Sequence, residues 1–265
     1  MPSSVPHDDA CARARALLAD ARRPVVFTGA GVSAESGVPT FRGPGGLWRS
    51  VRPEELATPG AFARDPRLVW EWYAWRRGLV RACVPNSAHR AIARLAARRP
   101  AAAVVTQNVD GLHERAAAEV AAEADVTAAP VLALHGSLFA TRCTRCDYRA
   151  PDDLTVDATS PETLPRCPRC GALLRPGVVW FGEALDPAVL DAAFAAADAC
   201  DVCLVVGTSA LVHPAAGVAV AAARAGAAVV EVNAEDTPIT EIAAVALRGR
   251  AAELVPIVLG ERREG

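Results

Sequence analysis

The chain contains no lysine, because all 28 of its basic residues are arginine. Together with abundant alanine, glycine and proline, this absence indicates a GC-rich prokaryotic genome, and we read no mechanism from it. An excess of positive charge is also missing, since the net charge is −2 and the isoelectric point is near 6.2. We therefore expect no overall attraction to nucleic acid.

Long hydrophobic runs are lacking as well. Residues 1–9 contain no apolar core of a signal peptide, and the alanine-rich stretch after Leu211 is interrupted by His213, Pro214 and Arg224. We therefore expect a cytoplasmic protein with no membrane partner. The chain is 52% hydrophobic over 265 residues, which is enough for one large core and a small appended unit.

A glycine-containing segment directly follows the first short apolar run. Residues 29–42 read Gly-Ala-Gly-Val-Ser-Ala-Glu-Ser-Gly-Val-Pro-Thr-Phe-Arg, after Pro-Val-Val-Phe-Thr at 24–28. Closely spaced glycines let the backbone approach a pyrophosphate at the start of a helix. Ser33 and Ala34 stand where a dinucleotide fold would have its third glycine, and Gly37 is expected to end the helix early. The alternative is an ordinary turn between a strand and a helix.

Four apolar runs predict parallel strands, and each is followed by polar residues. Unbroken apolar character suits strands buried on both faces, with helices such as 88–98 and 187–199 between them. Ligands of open parallel sheets collect beyond the carboxyl ends of the strands, although polar residues could simply follow every strand. The four expected strands are 25–28, 102–106, 202–206 and 227–232.

Eight cysteines include two C-x2-C pairs, Cys143 with Cys146 and Cys167 with Cys170. Thiolates at this spacing can face one ion, and two such pairs complete a closed tetrahedral site, so we expect a structural zinc ion. The residues between the pairs are poor in apolar side chains, so metal binding would have to fold them. A third pair, Cys200 and Cys203, lies at the entrance to a buried strand and is expected to be core.

These motifs, in this order, resemble those of the sirtuins, which are NAD-dependent protein-lysine deacylases, and the resemblance runs nearly end to end. It implies an α/β fold: a Rossmann-like parallel sheet with helices on both faces, plus a small lobe containing the zinc module. The cofactor contacts that it implies are Gly29, Ala30, Gly31, Ser33, Phe41, Arg42, Gln107, Asn108, Asp110, Gly207, Thr208, Ser209, Asn233 and Ala251.

The resemblance also implies a mechanism. Asn108 and Asp110 would hydrogen-bond the nicotinamide carboxamide, so that binding favours cleavage of the glycosidic bond. The acyl-lysine oxygen would attack the ribose, and His135 would then act as a general base on a ribose hydroxyl. The implied products are free lysine, nicotinamide and O-acyl-ADP-ribose. His89 and His213 are interpreted as packed or exposed residues. The same interpretation applies to His113, although its place beside Asn108 and Asp110 leaves it a candidate to support the site from behind.

Tyr73 and Arg76 bear on the acyl group. Three residues apart on a helix, a phenol and a guanidinium share one face and could together bind a carboxylate. The alternative is an aromatic stripe that packs the small lobe. The segment resembles the sirtuin branch that prefers succinyl and malonyl lysine, and Ala57 suits a widened acyl pocket. We therefore predict desuccinylation and demalonylation over deacetylation.

The resemblance further implies that acylated-lysine proteins or peptides bind as a strand between two lobes, chiefly through their main chain. One wall would be residues 178–183 and the other the loop around Leu211 and Val212. We expect one catalytic unit, with a large lobe from about 18–40, 86–138 and 175–258 and a small lobe from about 41–85 and 139–174; a monomer is compatible with it. The substrate contacts expected are Tyr73, Arg76, Ala57, Val179, Phe181, Gly182 and Glu183.

Two departures from the family pattern stand out. An alanine-rich segment over 115–130 is longer than expected, and we interpret it as a surface helix or loop; Ala133 replaces a common glutamate. Three other functions stay open: deacetylation without an acidic preference, mono-ADP-ribosyl transfer, and non-enzymatic reading of ADP-ribose. His135 argues against the last, because binding alone needs no base there.

Overall fold

The computed structural model describes residues 5–39, 53–152 and 154–261. At its centre is a parallel six-stranded sheet in the order β3-β2-β1-β7-β8-β9. The α/β fold with a parallel sheet is thereby confirmed. The strands of this sheet are β1 (Pro24–Thr28), β2 (Ala103–Thr106), β3 (Val131–Ala133), β7 (Val202–Val206), β8 (Ala228–Asn233) and β9 (Val245–Arg248).

Helices cover both faces of this sheet, which explains why its central strands are largely apolar. Alternate residues belong to separate cores, as Val26 and Leu204 pack with the helices on one face while Phe27 and Cys203 pack with those on the other. The first core contains α1 (Val5–Asp20), α5 (Ser87–Arg98) and α9 (Ala251–Val258). The second contains α7 (Pro187–Ala199) and α8 (Gly217–Arg224).

A second, antiparallel sheet has the order β5-β4-β6 and carries the cysteine pairs. Its strands are β4 (Gly136–Cys143), β5 (Arg149–Ala150) and β6 (Leu174–Val178), and it packs against α2 (Pro53–Leu56), α3 (Pro59–Arg64) and α4 (Pro66–Ala82). Arg77 joins α4 to β4, because its guanidinium donates to the carbonyl oxygens of Leu138 at 2.7 Å and Ala140 at 2.9 Å. How the chain divides into two lobes stays a prediction.

Polar side chains begin several helices and explain where they start. Asn86 accepts from the backbone N–H groups of α5, and Asp186 and Asp65 do the same for α7 and α4, where proline follows at the first helical position. The glycine segment forms a 3-10 helix, Ala30–Ser36, rather than an α-helix. Gly37 ends it with φ +85°, as its sequence predicts.

The four expected strands are present within one or two residues of their predicted limits, but the other two strands of the large sheet, β3 and β9, and the three strands of the small sheet were not predicted. The alanine-rich insertion is largely helical, since α6 (Leu112–Ala124) covers its first half. This helix is not purely a surface element, because Ala116 and Val120 pack against Ala93 of α5. Among the helices in the described part of the chain, none has the length and apolarity needed to span a bilayer.

Candidate active site

Four neighbouring strands end at the same edge of the large sheet, and their following residues are joined by backbone hydrogen bonds. The N–H of Gly29 donates to the Val206 oxygen, that of Gln107 to the Thr28 oxygen, and that of Gly207 to the Val232 oxygen, each at 3.0 Å. The polar segments after the predicted strands therefore lie side by side. This is the edge at which ligands bind in open α/β sheets.

The loop at residues 29–31 packs directly on the loop at Gly207. The N–H of Gly31 donates to the Gly207 oxygen at 2.8 Å, and a Cβ atom on Gly31 would lie 2.7 Å from the Gly207 Cα. Gly207 itself has φ +59°, in the left-handed region that favours glycine. Neither position has room for a larger residue, so these glycines allow two loops to meet beneath the cleft.

A cleft of about 1200 Å³ lies above these loops and extends from the sheet edge to the small sheet. Ser33, which is fully buried, and Asp110 lie behind this surface, while Phe41 and Arg42 fall outside the described residues. The predicted site residues that line the cleft are Gly29, Ala30, Gly31, Ala57, Tyr73, Arg76, Gln107, Asn108, His135, Val179, Phe181, Gly182, Glu183, Gly207, Thr208, Ser209, Asn233 and Ala251.

Asn108 is held by a buried polar network. Its side-chain amide donates to the Ser33 hydroxyl at 3.2 Å, and its backbone N–H donates to the Thr106 hydroxyl at 3.0 Å. Burial raises the pKa of Asp110, although hydrogen bonds from the Leu112 backbone and the Ser33 side chain and the charge of Arg76 oppose that rise. The amide of Asn108 is thus fixed at the cleft wall.

Two buried histidines lie behind this network. His113 Nε2 is 2.9 Å from the Thr28 hydroxyl, which donates to Thr106, and His89 Nε2 is 3.2 Å from the Ser33 hydroxyl. Burial lowers the pKa of His113 to about 4 and that of His89 to about 2. Both rings are therefore neutral at physiological pH. Of the two interpretations that the sequence allowed for His89, packed or exposed, the structure shows the packed one.

His135 lies between β3 and β4 with its ring in the cleft. Its Nδ1 is 2.9 Å from the backbone oxygen of Gln107, and a carbonyl oxygen only accepts, so Nδ1 carries the proton and Nε2 has the free lone pair. Burial lowers the pKa of His135 from its usual value, although the bond to Gln107 opposes that effect. The imidazole is therefore neutral at pH 7 and can accept a proton.

Tyr73 and Arg76 lie one turn apart on α4 and are 1% and 5% exposed. The Tyr73 hydroxyl accepts a hydrogen bond of 2.9 Å from Trp180 Nε1, and the Arg76 guanidinium carbon is 4.8 Å from the centroid of the Trp72 ring. Burial lowers the pKa of Arg76, whereas the nearby Tyr73 and Asp110 oppose that effect. The structure therefore brings a phenol and a buried guanidinium to the same wall of the cleft.

The segment after β6 forms another wall and is tied to both sides of the cleft. The N–H of Val179 donates to the His135 oxygen, and the N–H of Phe181 donates to the Ala57 oxygen, each at 2.9 Å. Glu183 forms an ion pair with Arg175, whose nitrogens lie 2.5 and 2.9 Å from its oxygens. The Glu183 carboxylate is thus bound within the chain, although the residue also lines the cleft.

The four zinc-module cysteines converge, as their spacing predicts. Their sulfur atoms all lie within 4.8 Å of one another; Cys143 Sγ is 3.4 Å from Cys170 Sγ, and Cys146 Sγ is 3.6 Å from Cys167 Sγ. A tetrahedron with zinc to sulfur bonds of about 2.3 Å has edges of about 3.8 Å, so the four thiolates fit a structural zinc ion. Cys200 and Cys203, in contrast, are buried in the core.

Several cleft residues were not predicted. Trp72 and His213 line it, as does the loop 234–238, which follows Asn233. Glu231, which is fully buried, holds that loop from below because its carboxylate accepts from the Thr237 hydroxyl. It also accepts from the Thr240 hydroxyl at 2.7 Å and pairs with Arg248 at 3.1 Å. The rule that ligands bind beyond strand ends could have extended the prediction from Asn233 into this loop.

Comparison with known proteins assigns this architecture to one family. The family model described as "Sir2 family" matches residues 29–214. An NAD-dependent protein deacylase 1 of Pseudomonas aeruginosa is 52% identical over 249 residues, covering 92% of this chain and 95% of its own. An NAD-dependent protein deacylase 2 of Pyrobaculum aerophilum is 51% identical over 245 residues, covering 92% of this chain and 93% of its own.

Solved structures agree. A Sir2 homologue in complex with NAD has a TM-score of 0.83 at 46% identity, covering 94% of this chain and 92% of its own. A Sir2 structure with a p53 peptide and NAD has a TM-score of 0.77 at 29% identity, covering 92% of this chain and 95% of its own. The chain belongs to the Sir2 family.

The enzyme class follows from that membership and from the site. The chain is an NAD-dependent protein deacylase that uses NAD and holds a structural zinc ion. The predictions of family, reaction and cofactors are thereby confirmed.

Proposed function

We propose that the enzyme removes succinyl and malonyl groups from lysine side chains in preference to acetyl groups. The observation that carries this proposal is the placement of Tyr73 and Arg76, both buried and both lining the cleft that contains His135. An acyl chain that ends in a carboxylate would meet a phenol and a guanidinium there. An acetyl group has no charge for them to bind.

The energetics favour a charged ligand at this wall. A guanidinium that is 5% exposed has lost most of its hydration, and burial lowers its pKa, so an anion that enters the cleft replaces part of the lost solvation. Charge-assisted hydrogen bonds contribute about 1.5 to 3 kcal/mol each. After the carboxylate is desolvated, two of them can provide about a hundredfold preference.

The other residues of the cleft suit the remaining steps. When bound, NAD supplies a nicotinamide leaving group and an acceptor ribose. Asn108, held by Ser33 and Thr106, would orient the nicotinamide carboxamide, and the meeting loops at Gly31 and Gly207 would receive the phosphates. His135 would remove a proton from a ribose hydroxyl through Nε2, because its Nδ1 is occupied by the Gln107 oxygen.

An acylated-lysine peptide would lie between the segment 178–183 and the loop around Leu211. Phe181 and Leu211 are 44% and 55% exposed, which leaves apolar surface on both sides for the peptide. The N–H groups of Val179, Trp180 and Phe181 already donate within the chain, so a peptide strand would have to pair with carbonyl oxygens of this segment rather than with these N–H groups. Recognition through the main chain implies weak sequence preference.

Deacetylation without an acidic preference is the second candidate. One solved relative, 29% identical, holds a deacetylated p53 peptide and an acetyl-ADP-ribose product, which supports acetyl transfer by that protein. In this chain, Arg76 stacks on Trp72 and Tyr73 accepts from Trp180. Both side chains could therefore serve only to pack the wall.

The test compares one peptide carrying succinyl, malonyl or acetyl lysine, with kcat/KM measured for each and products identified by mass spectrometry. We expect wild-type enzyme to prefer the acidic groups, with O-acyl-ADP-ribose formed only when NAD is present. Arg76→Met should lower kcat/KM for succinyl lysine about a hundredfold and change that for acetyl lysine only a few-fold.

Arg81→Met is the matched control, because it makes the same side-chain change on the exposed part of the same helix. It should leave the succinyl-to-acetyl ratio unchanged. Rapid deacetylation that is indifferent to Arg76→Met would contradict the acidic preference and return Tyr73 and Arg76 to a packing role. The deacylase reaction itself would stand in that case.

A further inference from the structure

Trp180 lies in the cleft wall that contains Tyr73 and Arg76, next to the small antiparallel sheet. It directly follows Val179 after β6, is 3% exposed, and lines the cleft beside Tyr73. Its indole Nε1 lies 2.9 Å from the Tyr73 hydroxyl, and its ring centroid is 6.4 Å from that of Tyr73. The indole therefore contacts the phenol through a polar bond as well as through packing.

The direction of that hydrogen bond is fixed by chemistry. An indole N–H can only donate, so the Tyr73 oxygen is the acceptor and the phenolic proton must point away from Trp180. An ionised carboxylate can only accept. A phenol whose acceptor side is occupied therefore presents a donor to the carboxylate, whereas a freely rotating phenol would present either its donor or its lone pairs.

The indole is held on its face and through its backbone. The guanidinium carbon of Arg175 lies 3.3 Å from the Trp180 ring centroid, and the Arg175 guanidinium is paired with Glu183. Glu183 also accepts from the Trp180 backbone N–H at 2.8 Å, and its own N–H donates to the Trp180 oxygen at 3.0 Å. A cation over the ring also draws electron density from it, which makes Nε1–H a stronger donor.

We propose that Trp180 is a positioning residue for acyl selectivity, which orients the Tyr73 hydroxyl to donate to the carboxylate of a succinyl or malonyl group, and which Arg175 and Glu183 hold in place. The proposal rests on the acidic-acyl preference proposed above. Trp180 acts through Tyr73 and makes no bond to the acyl carboxylate itself.

A purely structural tryptophan would have different consequences. If Trp180 served only for packing, its replacement would weaken the binding of all substrates alike and lower the stability of the protein, because it would disturb the whole wall. Loss of the N–H alone should change the ratio between substrates that differ only in the acyl carboxylate. The experiment therefore measures a ratio on one peptide, together with the dependence of that ratio on the Tyr73 hydroxyl.

The test uses Trp180→Phe, which keeps an aromatic ring and removes the donor, together with Tyr73→Phe and the double variant. We expect Trp180→Phe to lower the succinyl-to-acetyl ratio of kcat/KM about five- to tenfold, mainly through a higher KM for succinyl lysine. In the Tyr73→Phe background, Trp180→Phe should leave the ratio unchanged, because the group it orients is gone.

Two results would overturn the proposal: a ratio unchanged by Trp180→Phe, or a ratio lowered equally with and without the Tyr73 hydroxyl. If Trp180→Phe fails to fold, Trp180→benzothienylalanine keeps the bicyclic shape, replaces N–H by sulfur, and carries the same two outcomes. If the wild-type enzyme has no preference for acidic acyl groups, both the proposed preference and the proposed role of Trp180 are wrong. If the preference depends on Arg76 but not on Trp180, only the proposed role of Trp180 is wrong.

Discussion

The backbone N–H of Val179 donates to the carbonyl oxygen of His135 at 2.9 Å, and two residues later the N–H of Phe181 donates to the Ala57 oxygen at the same distance. One short segment thus joins the histidine of the cleft to the floor of the proposed acyl pocket. The proposed base and Ala57 are therefore held by the same piece of chain, so the distance between them is set by local hydrogen bonds rather than by distant packing.

His135→Ala is expected to lower the rate of acyl removal by about a hundredfold or more, because the neutral Nε2 that would accept the ribose proton is lost. In the proposed mechanism nicotinamide is released before that proton transfer, so exchange of labelled nicotinamide into NAD should continue in the presence of acylated peptide. The measurement is both rates on one preparation, with thermal unfolding to establish that the variant is folded. Full turnover by His135→Ala would rule out the general-base role.

The acid limb of the pH profile should have its midpoint below about 6.5, the usual histidine value. Burial lowers the pKa of His135, so the imidazole stays neutral to a lower pH and becomes protonated, and inactive, only as the pH falls through the lowered value. The measurement is kcat/KM from pH 5 to 9 with an acetylated peptide, whose acyl group does not titrate. A midpoint clearly above about 6.5 would contradict this assignment.

Cys143→Ala should release the zinc ion and lower the midpoint of thermal unfolding, because Ala150 and Leu174 are, among the described residues, the only buried apolar members of the small cluster besides its cysteines. Cys200→Ala is the matched control, since it alters the other C-x2-C pair, which lies in the core of the large sheet. Zinc content by elemental analysis should fall only in the first variant. Equal zinc in both would exclude the four-cysteine site.

Stability should depend on pH through His113, whose pKa is about 4 in the folded chain and about 6.5 when unfolded. Between those values the unfolded chain binds more protons, so the stabilisation is complete above about pH 6.5 and is lost as the pH falls towards 4. Replacing His113 by Gln should reduce the change in unfolding free energy between pH 7 and 5 by about 2 kcal/mol.

The measurement for His113 is denaturant unfolding of both proteins at the two pH values. His213→Gln serves as its control, because that residue is exposed at the rim of the cleft. It should leave the pH dependence of stability unchanged. A loss of pH dependence in the control that matched that of His113→Gln would show that the effect does not come from burial.

The central strands could be predicted from sequence because burial on both faces forces them to be apolar, as in Val202–Val206. The edge strands β3 and β9 escaped prediction, since a three-residue strand and one that ends in Arg248 have no distinctive pattern. The cysteine spacing determined the zinc site, because four thiolates around one ion allow little choice of geometry.

The contacts that hold the site residues in place could not be predicted from the sequence. Nothing in the residues around Trp180 indicates that its N–H meets Tyr73, which is 107 positions away along the chain. The same holds for Glu231 beneath the loop after Asn233, where an acidic residue in a buried strand is explained only by the Thr240 and Arg248 side chains that surround it. Such pairs follow from how the elements pack, which no local pattern records.

Every basic side chain of this protein other than histidine is a guanidinium, including the buried groups of Arg76, Arg77 and Arg175. A guanidinium stays protonated at physiological pH and so is a poor nucleophile towards activated acyl groups, whereas a lysine amine is the group on which such acyl chains accumulate. A chain of 265 residues without lysine therefore offers no side-chain amine for its own reaction to reverse. Its own side chains therefore cannot carry the lysine modification that the enzyme removes.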